Sequence, residues 1–188
     1  MLLNLMVPPL ALSFSEVKFR PRTFVAINLI AVATCFAQAS AQSPTAAQNQ
    51  VLESVSVKTD LYPADADANQ EIQAALARAL SEKKRVLLLF GANWCYDCHV
   101  LDRALHEGVA GKIVSEHLLL VHVDIGEGKK NAELVKLYRI PLDKGVPAVA
   151  LLSSDGKLLY SSGDGEFEAA RRMLKKDLVA FLRRWQQD

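Results

Sequence analysis

The chain has 188 residues, with 22 lysines and arginines against 21 aspartates and glutamates and a net charge of +1. So even a balance excludes the basic footprint of a nucleic-acid binder. Its 51% hydrophobic content supplies a core without a metal or disulfide staple, and its length suits one domain with appendages.

At the N-terminus Lys18, Arg20 and Arg22 precede an uncharged apolar run from Thr23 to Ala37, and Ala39-Ser40-Ala41 follows. The pattern is that of a secretory signal peptide cut after Ala41. The run falls short of the roughly 20 residues a spanning helix needs, and a retained membrane anchor is the alternative reading. The apolar, proline-containing stretch 1–16 makes the leader atypical and leaves the true start open. Cleavage would also remove Cys35, leaving Cys95 and Cys98 as the only cysteines, with no disulfide framework beyond that pair. The expected organisation is a signal peptide over 1–41, a polar linker over 42–50 and one domain over 51–188, placed in the periplasm or another extracytoplasmic space.

Along the domain, Val51, Val55 and Val57 suggest a first strand within 51–62. Residues 65–69 supply caps for a helix whose apolar positions are Ile72, Ala75, Leu76, Ala79 and Leu80, closed by Lys83-Lys84-Arg85. The uninterrupted run Val86–Phe90 predicts a strand buried on both faces. Val100, Leu101, Ala104 and Leu105 recur at helical spacing after Cys95. Leu118–Ile125 predicts a second buried strand, Ala132–Tyr138 a short helix, and Pro147–Leu152 a third strand. Ser153-Ser154-Asp155-Gly156 is a hairpin turn leading to a fourth strand over 157–161. A last helix is expected over 166–186. This order, β-α-β-α-β-α-β-β-α, predicts an α/β fold with parallel pairings and an antiparallel edge.

Trp94-Cys95-Tyr96-Asp97-Cys98 stands where a buried strand hands over to a helix. Unpaired amides in a first helical turn stabilise a thiolate, which makes Cys95 a nucleophile. Cys98, one turn on, lies on the same face and can close a bridge to it. Two other chemistries share the residues. Cys95-Tyr96-Asp97-Cys98-His99 spells the c-type haem attachment pattern, with His99 as axial ligand. A zinc site would need a second spaced pair that is missing. His99 reads first as a partly solvated surface residue, and His122 as a packed polar side chain.

Trp-Cys-x-x-Cys after a strand, together with Gly145-Val146-Pro147-Ala148 before a later one, resembles the thioredoxin superfamily, and in particular exported thiol:disulfide interchange proteins. The resemblance covers residues 51–186. It implies a thioredoxin-like fold: a central mixed sheet flanked by helices, with the cysteine pair at a helix N-terminus. By it, Cys95 attacks, Cys98 resolves, Pro147 has a cis bond beside the pair, Val146 presents backbone groups to the client chain, and Trp94 shapes the surface. Many thioredoxins also carry a buried aspartate six residues before the first cysteine, where this chain has Leu89. Asp97 and His99 are then the groups that could tune the Cys95 thiol. A carboxylate between the cysteines disfavours the thiolate and so favours a reducing protein. The expected partners are client proteins bearing disulfides or dithiols, with a membrane protein as electron donor. The expectation includes no metal, cofactor or nucleic acid, and a monomer. A thioredoxin-like module that binds clients without turnover is the competing non-enzymatic reading.

Overall fold

The structure, a computed structural model, describes residues 49–58 and 60–186. The signal peptide and most of the linker expected from the sequence lie outside the described residues. Helix α1 (Ala68–Glu82) leads into strand β1 (Arg85–Gly91). Helices α2 (Tyr96–His106) and α3 (Gly108–His117) precede β2 (Leu118–Asp124). Helix α4 (Ala132–Leu137), the hairpin strands β3 (Ala148–Leu152) and β4 (Leu158–Ser161), and helix α5 (Lys175–Arg183) complete the order. None of the described helices is long and apolar enough to cross a membrane.

The four strands form one mixed sheet in the order β2-β1-β3-β4. Only β1 and β2 run parallel; β3 is antiparallel to β1 and to β4. The parallel pairing expected from strand–helix alternation therefore stops at β1–β2.

Strand β1 is apolar throughout because it is covered on both sides. Leu87 and Leu89 pack with Val100, Leu101 and Leu105 of α2 and with Leu178 and Leu182 of α5. Val86, Leu88 and Phe90 pack with Ile72, Ala75 and Ala79 of α1. Leu89, fully buried, thus fills with hydrocarbon the place where an aspartate was sought. Asp67 caps α1 by accepting the Gln70 N–H at 3.1 Å. Leu80, assigned to the apolar face, is instead 68% exposed.

Three expected elements differ. Residues 51–62 form no strand: Val51 alone makes a bridge, to Leu174, and both Val51 and Val57 are exposed. Leu52 and Val55 pack against the core while Val51 and Val57 face solvent, so the described residues of the segment run as an irregular ribbon outside the sheet. The helix after Cys95 breaks at Glu107, and Gly108, at φ +56°, begins a separate α3. The last helix starts nine residues late. Met173 and Leu174 are extended, because Met173 O accepts the Leu52 N–H at 2.9 Å, and Gln50 O accepts the Lys175 N–H at 2.8 Å. These long-range hydrogen bonds replace helical ones over 166–174, leaving a single 3₁₀ turn at Ala170–Arg172.

Candidate active site

Strand β1 ends at Gly91, and the turn Ala92-Asn93-Trp94 carries the chain to Cys95, the N-cap of α2. Cys95 and Cys98 are joined in a disulfide, with their α-carbons 5.3 Å apart. The Cys95 sulfur accepts the Cys98 N–H at 3.1 Å, so the end of the helix is aimed at it. Both sulfurs are shielded; Cys98 is completely buried, and Cys95 retains 5% exposure.

The loop before β3 closes the other side. The Val146–Pro147 peptide bond is cis, and Pro147 is buried. The Val146 carbonyl oxygen lies 3.5 Å from the Cys95 sulfur. Trp94 is 57% exposed, its indole N–H donating to Gly126 O at 3.0 Å. Trp94, Ile125, Leu142 and Val146 line a shallow groove beside the pair. Five of the residues read from the sequence, Trp94, Cys95, Cys98, Val146 and Pro147, are therefore brought to one place.

Asp97 and His99 are placed differently from expectation. The Asp97 carboxylate accepts the Arg171 backbone N–H at 2.8 Å and the Arg171 guanidinium at 2.5 Å. Its charge is offset, and the carboxylate serves as a tie between α2 and the 170–172 turn. His99 is not a surface residue; only 3% of it is exposed. Its Nε2 lies 2.9 Å from Asn93 O and its Nδ1 3.4 Å from the Lys58 N–H. Donation from Nε2 and acceptance at Nδ1 describe one neutral tautomer. Both ring nitrogens are thereby used, and His99 and both cysteines are buried, so the residues do not fit haem attachment.

Several contributors escaped the sequence reading. Asn93 clamps the backbone of Tyr62: its Oδ1 accepts the Tyr62 N–H at 2.9 Å and its Nδ2 donates to Tyr62 O at 2.8 Å. Tyr62, 1% exposed, packs directly with Cys95 and Cys98. Its ring meets His122 edge-on at 5.3 Å, and the His122 Nε2 is 2.9 Å from Asp102 Oδ1. Burial raises the Asp102 carboxyl, but the hydrogen bond and charge of His122, with His106 and Lys58, outweigh it and leave the group below its usual range. Gly91 leaves open the space that Tyr62 and Cys98 fill, and Arg171 holds Asp97. Asn93 had only a turn signal, and Tyr62 only the end of a presumed strand. Losing both clamp bonds by Asn93→Ala is expected to cost about 2 kcal/mol of stability, read from urea unfolding.

A thioredoxin-like family model matches residues 67–154. The crystal structure of a disulphide isomerase from Xylella fastidiosa is similar at 36% identity and a TM-score of 0.62, covering 66% of this chain and 95% of that one. Two curated proteins, the thiol:disulfide interchange protein DsbD of Pseudomonas fluorescens and DsbD 2 of Pseudomonas aeruginosa, are each 26% identical over 118 residues. Those residues are 62% of this chain and only 18% of either relative's length. The isomerase is matched over nearly its whole length, and this chain carries a cysteine pair at its strand-to-helix junction: the chain belongs to the thioredoxin-like family, as a thiol–disulfide oxidoreductase.

Proposed function

We propose that this is an exported oxidoreductase that reduces protein disulfides by dithiol exchange, with Cys95 as nucleophile and Cys98 as the resolving thiol. The observation that carries the reading is the Cys95 sulfur at the N-cap of α2, accepting the Cys98 N–H and bonded to Cys98. The same N–H and helix end favour a thiolate once the bridge opens. The more accessible of the two sulfurs is the one a client reaches first. Trp94 and Val146 form the edge against which a client chain lies, and the cis Val146–Pro147 bond sets the Val146 carbonyl beside Cys95. Clients are proteins with accessible disulfides, and a membrane dithiol protein returns the electrons. The basic-apolar-small pattern of residues 18–41 supports export, with the mature chain beginning at Gln42.

Insulin reduction by dithiothreitol tests the activity. The isolated protein is expected to accelerate precipitation of the insulin B chain, and Cys95→Ser/Cys98→Ser to return the rate to background. Equal rates would leave only client binding. A redox potential close to the strong-oxidant value of about −120 mV, rather than near about −270 mV, would overturn the reducing direction.

A further inference from the structure

Tyr62 carries the one group near the redox pair that the exchange reading does not use. Its ring is buried against both cysteines, yet its hydroxyl has no hydrogen-bond partner among the described residues. Buried hydroxyls are ordinarily satisfied, so an orphan beside reactive sulfur invites a reason. The hydroxyl oxygen and the Cys98 sulfur converge on one spot: a β-carbon placed on Gly91 would stand 2.4 Å from the first and 2.6 Å from the second. Neither atom is there by chance of a loose rotamer. Asn93 holds the Tyr62 backbone by two hydrogen bonds, and His122 braces the ring.

We infer that the Tyr62 hydroxyl is poised to donate a hydrogen bond to the Cys98 sulfur when that sulfur is a thiolate, assisting the resolving half of the exchange. The inference rests on the exchange reading above. No hydrogen bond joins the hydroxyl to the Cys98 sulfur while that sulfur is tied to Cys95. On reduction it becomes a thiol and, on losing its proton, a buried anion that needs a donor. Leu89 provides none. Asp97 is turned to Arg171 and His99 to Asn93 and Lys58. The charged and titratable groups around Tyr62 are His122 and Asp124 of β2 and Asp102 of α2. Burial foremost, and then the negative charges of Asp102 and Asp124, push the phenol well above its ordinary range, so it keeps its proton and acts as donor only.

The step balances without Tyr62 losing a proton. The Cys95 thiolate attacks one client sulfur, the client S–S bond breaks, and the freed client thiolate takes a proton. Cys98 gives its proton to solvent; its thiolate, held by the hydroxyl, attacks the Cys95 sulfur. The Cys95–Cys98 bond forms, the second client thiolate leaves and is protonated, and two electrons have passed to the client.

The test is stopped-flow reaction of the reduced protein with Ellman's reagent, in a Cys35→Ser background. Attack by Cys95 releases one thionitrobenzoate, and resolution by Cys98 releases the second. Tyr62→Phe is expected to leave the first phase unchanged. It should slow the second about tenfold at neutral pH and raise the midpoint of that phase's pH profile by about one unit. A second phase matching the unsubstituted protein in rate and midpoint overturns the inference. Absence of any second phase in the unsubstituted protein would instead overturn the exchange reading. If Tyr62→Phe does not fold, 3-fluorotyrosine at position 62, a stronger donor of similar shape, should lower the midpoint, and an unmoved midpoint overturns the inference equally.

Discussion

Cys98→Ser is expected to trap the protein on its client. Cys95 keeps its place at the N-cap of α2, so the first attack proceeds and a mixed disulfide forms. Release then depends on an external thiol. The native resolving sulfur sits one helical turn away with its α-carbon 5.3 Å from that of Cys95. Such an intramolecular attack has an effective concentration far above any solution thiol, so turnover should fall by at least about 100-fold. The measurement is insulin reduction together with a non-reducing gel, on which a dithiothreitol-sensitive adduct should accumulate. Free, unmodified protein at the end of the reaction would contradict the assignment of the two sulfurs. Cys95→Ser should give neither turnover nor adduct, because the buried Cys98 has no exposure through which to meet a client.

Gly91→Ala is expected to cost about 2–3 kcal/mol, because it overfills a closed space. The new carbon would meet the Tyr62 hydroxyl at 2.4 Å and the Cys98 sulfur at 2.6 Å. Neither neighbour is the free end of a flexible chain. Tyr62 is clamped by Asn93, and Cys98 is fixed by its helix and its disulfide. Moving the backbone is no easier, since Gly91 pairs with Asp124 and its carbonyl accepts the Ile125 N–H at 2.9 Å. Urea unfolding measures the loss. Combining Gly91→Ala with Tyr62→Phe removes the nearest of the three clashing atoms, so the pair should be less destabilising than the sum of the single changes. Strict additivity would show that the strain falls elsewhere.

What was legible in the sequence is what local pattern alone can encode. A run such as Val86–Phe90 has no polar side chain and must be buried on both faces, whichever partners it finds. Trp94–Cys98 and Gly145–Ala148 lie at opposite ends of separate elements, and only the family resemblance joined them; the sheet, by seating β3 beside β1, brings them together. The rest depended on partners distant in the chain. The stretch 166–174 has helical spacing, yet its backbone groups are claimed by residues 50–52 and by Asp97. His99 looks like a surface residue on its helix until the ribbon carrying Lys58 crosses it. Tyr62 and Asn93, 31 residues apart, have no pattern in common until their amide and peptide groups are face to face. Leu89 carried a negative message that was legible: strand β1 offers the buried sulfur no carboxylate.

The ribbon over 50–58 and 60–62 bears on the cooperativity of the fold. It belongs to no ladder, yet it touches the turn before α5 at one end and the loop before Cys95 at the other. Segments without regular hydrogen bonding are the first to fray under native conditions. Lifting of this segment would uncover Tyr62 and His99 together while the sheet stays intact, so the wetness of the inner sulfur would follow a small, local equilibrium rather than the stability of the whole domain.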